Sequence, residues 1–450
     1  MSEIIRIKKG FDIKLQGSAE INLKEIPVSK HYAIKPDDFI GIKPKISIQE
    51  GDNVKAGTVL FSDKDNPQIL FCSPVSGKIA HIDRGERRSL LSIVIETSGV
   101  LEYEGFDTKN WENMNSGQIA EIMQKAGAWP YIKQRPYNII ARPGIQPKAV
   151  FVSAFDTAPL APDYDFVLRG RKKQFQAGIK VLNILSNLKI QLGINANRLL
   201  NEVFTDLEGV ELHRFSGPHP AGNAGIQIHH VSPVNKGEIV WVINPQDVAT
   251  IGNLFLTGMH DASKIIALTG SQIIKPQYYK TINGVQVSEI LKDNMVGLEN
   301  RIISGNVLTG KKISPEGYIG FYDNQLTIIP EGHQREFLGW ALPGLDKLSL
   351  SKSYFSWLWP QKKYKVNTNL NGEDRAYVMS GQYEKLLPMD ILPVHLIKAI
   401  LAEDIDLMEQ LGIYEVVEED FALCEFACTS KINVQEILRK GLDLVRKEMN

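Results

Sequence analysis

The sequence predicts a multi-domain α/β protein, and three observations predict it. At 450 residues the chain is too long for one hydrophobic core. Its first hundred residues are rich in β-branched side chains punctuated by Gly and Pro, whereas strands and helices alternate from Lys148 onward. From Ile391 the apolar residues recur at helical spacing. Hydrophobic residues make up 43% of the chain and charged residues 23%, the balance of ordinary globular domains. A formal net charge of −1 without a long Lys/Arg run gives no footprint for nucleic acid. No apolar run reaches the ~18 residues of a membrane span, and the N-terminus lacks a secretory apolar core. Three cysteines cannot build a disulfide scaffold, so a cytoplasmic setting is expected.

Residues 1–100 are expected to form the first domain. Within PKISIQEGDNVKAGTVLFSDKDNPQILFCSPVSGKIAHI, Gly51, Gly57, Pro74 and Gly77 punctuate short strands whose core side chains include Val54, Val59 and Leu60. Residues 42–97 resemble the biotinyl/lipoyl barrel-sandwich fold, in whose carrier members a hairpin lysine is modified. Lys64 in SDKD invites that comparison, but the following Asn66, Pro67 and Gln68 read as a plain loop, so Lys64 is expected to be a solvated turn residue.

Residues 101–260 read as a Rossmann-like domain. Ser116 is expected to cap a short helix carrying Ile119, Ile122 and Met123. In KAGAWPYIKQRPYNIIARPG, Trp129, Tyr131 and Tyr137 alternate with Lys133, Arg135 and Arg142. That run suits either a flat, polar-edged ligand or a packed loop with solvated charges. AVFVSAF is a strand, residues 175–188 a helix, and EIVWVI a strand followed by a helix near 248–256. Neither G-x-G-x-x-G nor G-x-x-x-x-G-K-[ST] occurs, so a phosphate loop is absent from the sequence. Between the strands lies Phe215 to Val234, FSGPHPAGNAGIQIHHVSPV, which holds His219, His229 and His230 among three Gly and three Pro. It is expected to be a rigid loop at a strand end, excluded from helix, and either ligand-facing or a buried crossover.

Residues 261–330 predict a β-grasp module, with a turn at Asn283-Gly284. Residues 331–380 form a connecting segment in which Tyr354, Phe355, Trp357 and Trp359 crowd beside a basic cluster, a docking surface rather than core. Residues 381–450 are expected to be a helical bundle.

The module order and seven strings together resemble the NqrA family, found in the bacterial sodium-translocating NADH:quinone oxidoreductase. They are KKGFDIKLQG at 8–17, SPVSGKI at 73–79, FSGPHPAG at 215–222, ISGNVLTG at 303–310, FLGW at 337–340, YEKLLPMDILP at 383–393 and LGIYEVVEEDFALCEFAC at 411–428. The family is similar to the C subunit of the Rnf complex and to the flavoprotein subunit of respiratory complex I. The resemblance implies barrel-sandwich, Rossmann-like, soluble-ligand-binding β-grasp (SLBB-like) and degenerate ferredoxin-like helical domains. It further implies a peripheral subunit on the cytoplasmic face of the bacterial inner membrane. The complex reduces a quinone such as ubiquinone with NADH and exports sodium; flavins, iron–sulfur centres and NADH belong to partner subunits. The expected partners are the other subunits, chiefly the quinone-reducing membrane subunit, with little activity in this chain alone and a purely structural role as the alternative.

Departures from the redox relatives are chemical. Where they carry a Gly-rich flavin loop, Gly127 stands here among Trp129, Pro130 and Tyr131, which occupy the space backbone amides need around a phosphate. Asp156 lies where those relatives carry an acidic residue and reads as a loop cap. Cys424 and Cys428 resemble the tail of a ferredoxin ligand run, but a cubane needs four thiolates and Cys72 is the only other cysteine. Zinc on two Cys with His395 has the count but not the spacing. No cofactor and no metal are therefore expected in this subunit. A quinone, if bound, is expected to meet Trp129, Tyr131, Arg135 and His219, aromatics for stacking and cations for a carbonyl gaining negative charge.

Overall fold

The computed structural model describes residues 3–199, 201–297, 299–333, 339, 342–373 and 375–449. Of the FLGW string, only Gly339 falls within them; Phe337, Leu338 and Trp340 lie outside the described residues. The expected domains appear in order: a barrel of two small sheets, a Rossmann-like sheet, a β-grasp sheet and a helical bundle.

The central sheet has seven strands, in the order Ile4–Arg6, Val210–Ser216, Ile190–Asn195, Ala149–Ser153, Val240–Val242, Lys133–Arg135, Ile139–Ile140. The first five are parallel; the last two run antiparallel as an edge hairpin. Ala149–Ser153 and Val240–Val242 are apolar on both faces, as strands covered by helices on either side must be. Val150, Val152 and Trp241 pack toward Lys172–Ser186 and Pro245–Thr257, while Phe151 and Val240 face Ala224–Val231. The two long helices touch at glycines: a Cβ on Gly178 would strike the carbonyl of Val248, and one on Gly252 that of Gln174.

Three expectations are corrected. First, the barrel does not own residues 1–100. Ile4–Arg6 joins the central sheet beside Val210–Ser216, and Glu20–Glu25 joins the β-grasp sheet beside Gln277–Ile282. Between them, residues 8–17 form a strap: Phe11 N–H donates to His219 O, Gly10 N–H to Lys385 O and Gln16 N–H to Tyr364 O. Gly10, at φ 130°, lies against the His219 carbonyl where a side chain would collide. Second, the stretch 215–234 is only partly loop. Ala224–Val231 is a helix that carries His229 and His230, and the loop shrinks to 217–223. Gly217 sits at φ 143°, while Gly225, in the helix, leaves room for the side chains of Arg135 and Asp420. Third, Asn115, not Ser116, caps the helix Ser116–Lys125, in a capping box with Gln118.

The barrel core stacks Phe61 on Phe71, with centroids 4.4 Å apart. Lys64 is exposed in a loop clasped by the Asp63 carboxylate, which accepts from Lys43 N–H, Asp65 N–H and the Asn66 amide. The β-grasp sheet runs Lys311–Ile313, Asn300–Ser304, Gln325–Pro330, Ser263–Thr269, Gln277–Ile282, Glu20–Glu25, with Gly284 at φ 76° in the predicted turn. In the bundle, Pro393–Leu401, Glu418–Phe426 and Val434–Glu448 enclose a core that includes Cys424 and Cys428.

Arg135, at the end of its edge strand, joins sheet to bundle. Its guanidinium donates to Asp420 at 2.6 Å, to Glu419 at 2.7 Å and to Glu415 O at 3.2 Å, with Arg135 and Asp420 both buried. Burial works against the charge, yet the two carboxylates outweigh it and leave the Arg135 pKa raised. Truncating one partner of a buried pair strands the other charge. Arg135→Ala should therefore lower stability by about 3–5 kcal/mol, read as a fall in the urea midpoint. Gly252→Ala should lose about 1–3 kcal/mol through overpacking of the helix pair, in the same measurement.

Candidate functional site

The order of the parallel strands reverses between Ala149–Ser153 and Val240–Val242: from Ala149–Ser153 the chain builds outward to Ile190–Asn195 and Val210–Ser216, then returns to the other side. Beyond the carboxyl ends of such a pair the connections part and leave a crevice, the usual ligand position of a doubly wound sheet. A cleft of about 230 Å³ lies there. Ser153, Phe155 and Asp156 enter it from one strand end, and Ile243, Asn244 and Asp247 from the other. The turn Trp129–Tyr131 supplies Tyr131 and the strand Lys133–Arg135 supplies Lys133 and Arg135; Tyr322 of the β-grasp domain and Glu419 of the bundle complete the walls.

Each polar wall group has a local reason for its place. Asn244 caps Pro245–Thr257 by accepting from Gln246 N–H, and its amide donates to the Tyr164 hydroxyl at 2.6 Å. Asp247 sits in the first turn of that helix, where a carboxylate complements the exposed N–H groups. Burial nonetheless pushes its carboxyl up to about 6, against the opposing pull of Lys264, Lys133 and Arg171. Lys133 Nζ lies 3.9 Å over the Tyr322 ring, a cation–π contact, and burial lowers its pKa. Among the described residues it has neither a hydrogen-bond nor an ion-pair partner, and the Asp247 carboxylate likewise accepts no hydrogen bond. Asp156 takes the predicted capping role, accepting from Ala158 N–H at 2.7 Å, while burial raises its pKa. The cleft thus offers Lys133 and the paired Arg135 as cations, three carboxyls raised by burial (Asp156, Asp247 and Glu419), and aromatic walls.

The structure does not gather the four residues expected to meet a quinone. Tyr131 and Arg135 line the cleft. Trp129 is buried behind it, donates Nε1–H to Ala141 O at 2.7 Å and meets Trp241 edge-on, so it presents no face to a ligand. His219 lies beneath the N-terminal strap, its Nδ1 3.2 Å from Thr157 Oγ1, its Nε2 unpartnered and its pKa lowered by burial to about 4. Even the two lining residues are committed: the Tyr131 hydroxyl meets His260 Nε2 at 3.1 Å, and Arg135 is engaged with the bundle. The physical reason is that 129–135 is not an open loop. It makes a short turn at Trp129–Tyr131 and then a strand paired with Val240–Val242, which draws its side chains inside.

Lys133 stood in the alternating aromatic–cationic run without being singled out, and Asp247, Tyr164 and Tyr322 were missed. The string NPQD after EIVWVI carried a usable signal, because a cap, a Pro and an acid directly after a parallel strand mark a helix opening at the sheet's ligand edge. Gly127 packs against Cys72 of the barrel, where a Cβ would come within 2.8 Å of the sulfur, so that surface is closed by protein. The Cys72 thiol is pushed up to about 12 by burial, and burial also raises that of Cys424. His395 is exposed while both bundle thiols are buried, and no group of three or more His, Cys, Asp or Glu among the described residues is disposed to hold a metal.

Comparison with known proteins matches three family models in chain order. Residues 5–98 match the NqrA N-terminal barrel-sandwich hybrid domain, 114–260 the NqrA second alpha/beta domain, and 265–314 the NQRA C-terminal domain. Among curated relatives, the NqrA protein of the Na(+)-translocating NADH-quinone reductase of Neisseria meningitidis serogroup B is 38% identical over 99% of this chain and 100% of its own length. The corresponding protein of Yersinia pestis bv. Antiqua is 37% identical over the same shares. An NAD+-reducing NiFe hydrogenase of solved structure aligns with 77% of this chain and 67% of its own at 10% identity and a TM-score of 0.37, too low to carry weight. With family models over most of its length and relatives that match it end to end, the chain belongs to the NqrA family of the Na(+)-translocating NADH-quinone reductase.

Proposed function

We propose that this protein works as the peripheral NqrA component of the sodium-pumping NADH:quinone reductase, on the cytoplasmic face of the inner membrane, and that its interdomain cleft receives the quinone head group. Family membership supports the first part, and no helix of the described residues is long and apolar enough to cross a membrane. The quinone-reducing membrane subunit is the natural neighbour of such a chain. Flavins, iron–sulfur centres and NADH are assigned to partner subunits, and none to this one.

One observation carries the quinone reading: the Lys133 ammonium stands at the cleft wall, free of ion pairs among the described residues, beside Asp247. Reducing a quinone to a quinol takes two electrons and two protons. The electrons come from the partner subunits, and negative charge develops on the carbonyl oxygens. A partly desolvated cation stabilises that charge far better than one in bulk water. Asp247, titrating near pH 6, is placed to exchange a proton at physiological pH. The engagement of Tyr131 and Arg135 with protein partners supports the alternative, a scaffold without a ligand, and the same experiment separates the two.

In the assembled complex, Lys133→Met should lower kcat/KM for quinone about 10- to 100-fold, the value of a charge-assisted hydrogen bond. Subunit content should stay unchanged. An unchanged kcat/KM favours the scaffold. The Asp247 carboxyl titrates higher in the folded chain than the ~3.9 of an unfolded Asp. The folded state therefore holds the proton more tightly, and this residue's contribution to stability falls as pH rises from about 4 to about 6. Asp247→Asn removes that loss. Relative to the parent, the variant should gain about 3 kcal/mol between those pH values and then stay level, as denaturant titrations across pH would show.

A further inference from the structure

We propose that the exposed aromatic turn at 354–359 is a lipid-contact element that seats this chain on an anionic bilayer surface. The turn is built inside out. In the short 3-10 helix Phe355–Leu358, the buried residue is Ser356. Its hydroxyl donates to Lys347 O at 2.6 Å, and its carbonyl accepts from the Tyr364 hydroxyl at 3.3 Å. Phe355 N–H donates to Pro343 O at 3.0 Å. These bonds fix the backbone and turn the large side chains outward: Phe355, Trp357, Leu358 and Trp359 are each about half exposed, at 57, 49, 53 and 53%. Leu342 and Leu345, on the segment that clasps the turn, are exposed as well. Single surface apolar residues need no explanation, but a cluster held out by hydrogen bonds marks a contact surface.

The surrounding charge selects the partner. Residues 342–366 hold five lysines (347, 352, 362, 363 and 365) and one acid, Asp346, in a chain whose net charge is −1. Lys14 is drawn in as a sixth, donating to Pro360 O at 2.8 Å. The segment contains no arginine. Protein interfaces are enriched in Arg and depleted in Lys, whereas Trp and Lys together are the residues of the membrane–water boundary. There an indole rests at headgroup depth and a strongly hydrated ammonium sits among phosphates. The patch complements an anionic phospholipid surface in both charge and polarity. It deepens the peripheral placement proposed above and is independent of the cleft.

The test is co-sedimentation of the full chain with vesicles of phosphatidylcholine, with and without phosphatidylglycerol. Binding to phosphatidylglycerol vesicles should weaken at least about ten-fold in high salt, and to a similar extent in Trp357→Ser/Trp359→Ser. Lys363→Glu/Lys365→Glu should weaken it too, and both variants should keep the parent's melting temperature because the substituted side chains are exposed. Equal binding to both vesicle types, no binding, or unchanged binding by the variants overturns the proposal. Loss of complex assembly by the Trp variant without vesicle binding by the parent also overturns it and assigns the patch to a protein partner. Peripheral placement fails separately, if the protein stays out of the membrane fraction in cells that hold the other subunits.

Discussion

The Arg135 guanidinium, sealed between Asp420 and Glu419, fixes how the helical bundle sits on the central sheet. Attraction between the charges is only part of what makes it hold. A buried ion pair repays its desolvation only when its remaining donors and acceptors are also satisfied. Here the Glu415 carbonyl takes a further Arg135 donor on one side, and the Val417 N–H donates to Asp420 on the other. Gly225 provides the space, since a side chain there would collide with both partners. One wall of the cleft is thereby set, because Glu419 and Arg135 reach it from opposite sides of the junction.

A second constraint is the N-terminal strap. A strand in the central sheet, a bonded run across the central loop and bundle, and a strand in the β-grasp sheet all come from the first 25 residues. Three bodies are tied by one short segment, and its glycines stand where backbone meets backbone. The family strings around Gly10 and Gly217 are explained by this packing, with Gly217 against Ile7 and Gly10 against His219.

The cleft combines a doubly wound ligand position with unusual walls. Where a nucleotide site would present open backbone amides, Trp129 and Tyr131 fill the ground with hydrogen-bonded aromatics. What remains polar is side-chain chemistry, above all one partly buried lysine, the paired Arg135, and three carboxyls raised by burial. The apolar turn at 354–359 lies outside that chemistry and answers to a different phase, with its serine inside and its indoles outside.

The sequence by itself determined the domain order, the parallel core strands, the helical bundle and the exposure of Phe355, Trp357 and Trp359. Those features follow from local periodicity, and from an apolar cluster on an irregular segment that has no core to enter. The missing phosphate loop was equally legible, since a motif is a local object. Only the tertiary structure decided which side chains face the cleft. Pairing with Val240–Val242, in a register that sets Lys133 opposite Val242 and Arg135 opposite Val240, draws residues 133–135 to the cleft wall. Nothing in the segment's own composition sets that register. Trp129 and His219 looked available because aromatic and imidazole groups on Pro-broken segments often are. They are buried because a strap distant in sequence closes over His219, and because the adjoining hairpin and the distant Trp241 close over Trp129. Which groups meet a ligand is a property of long-range contacts, and those exist only once the domains are assembled.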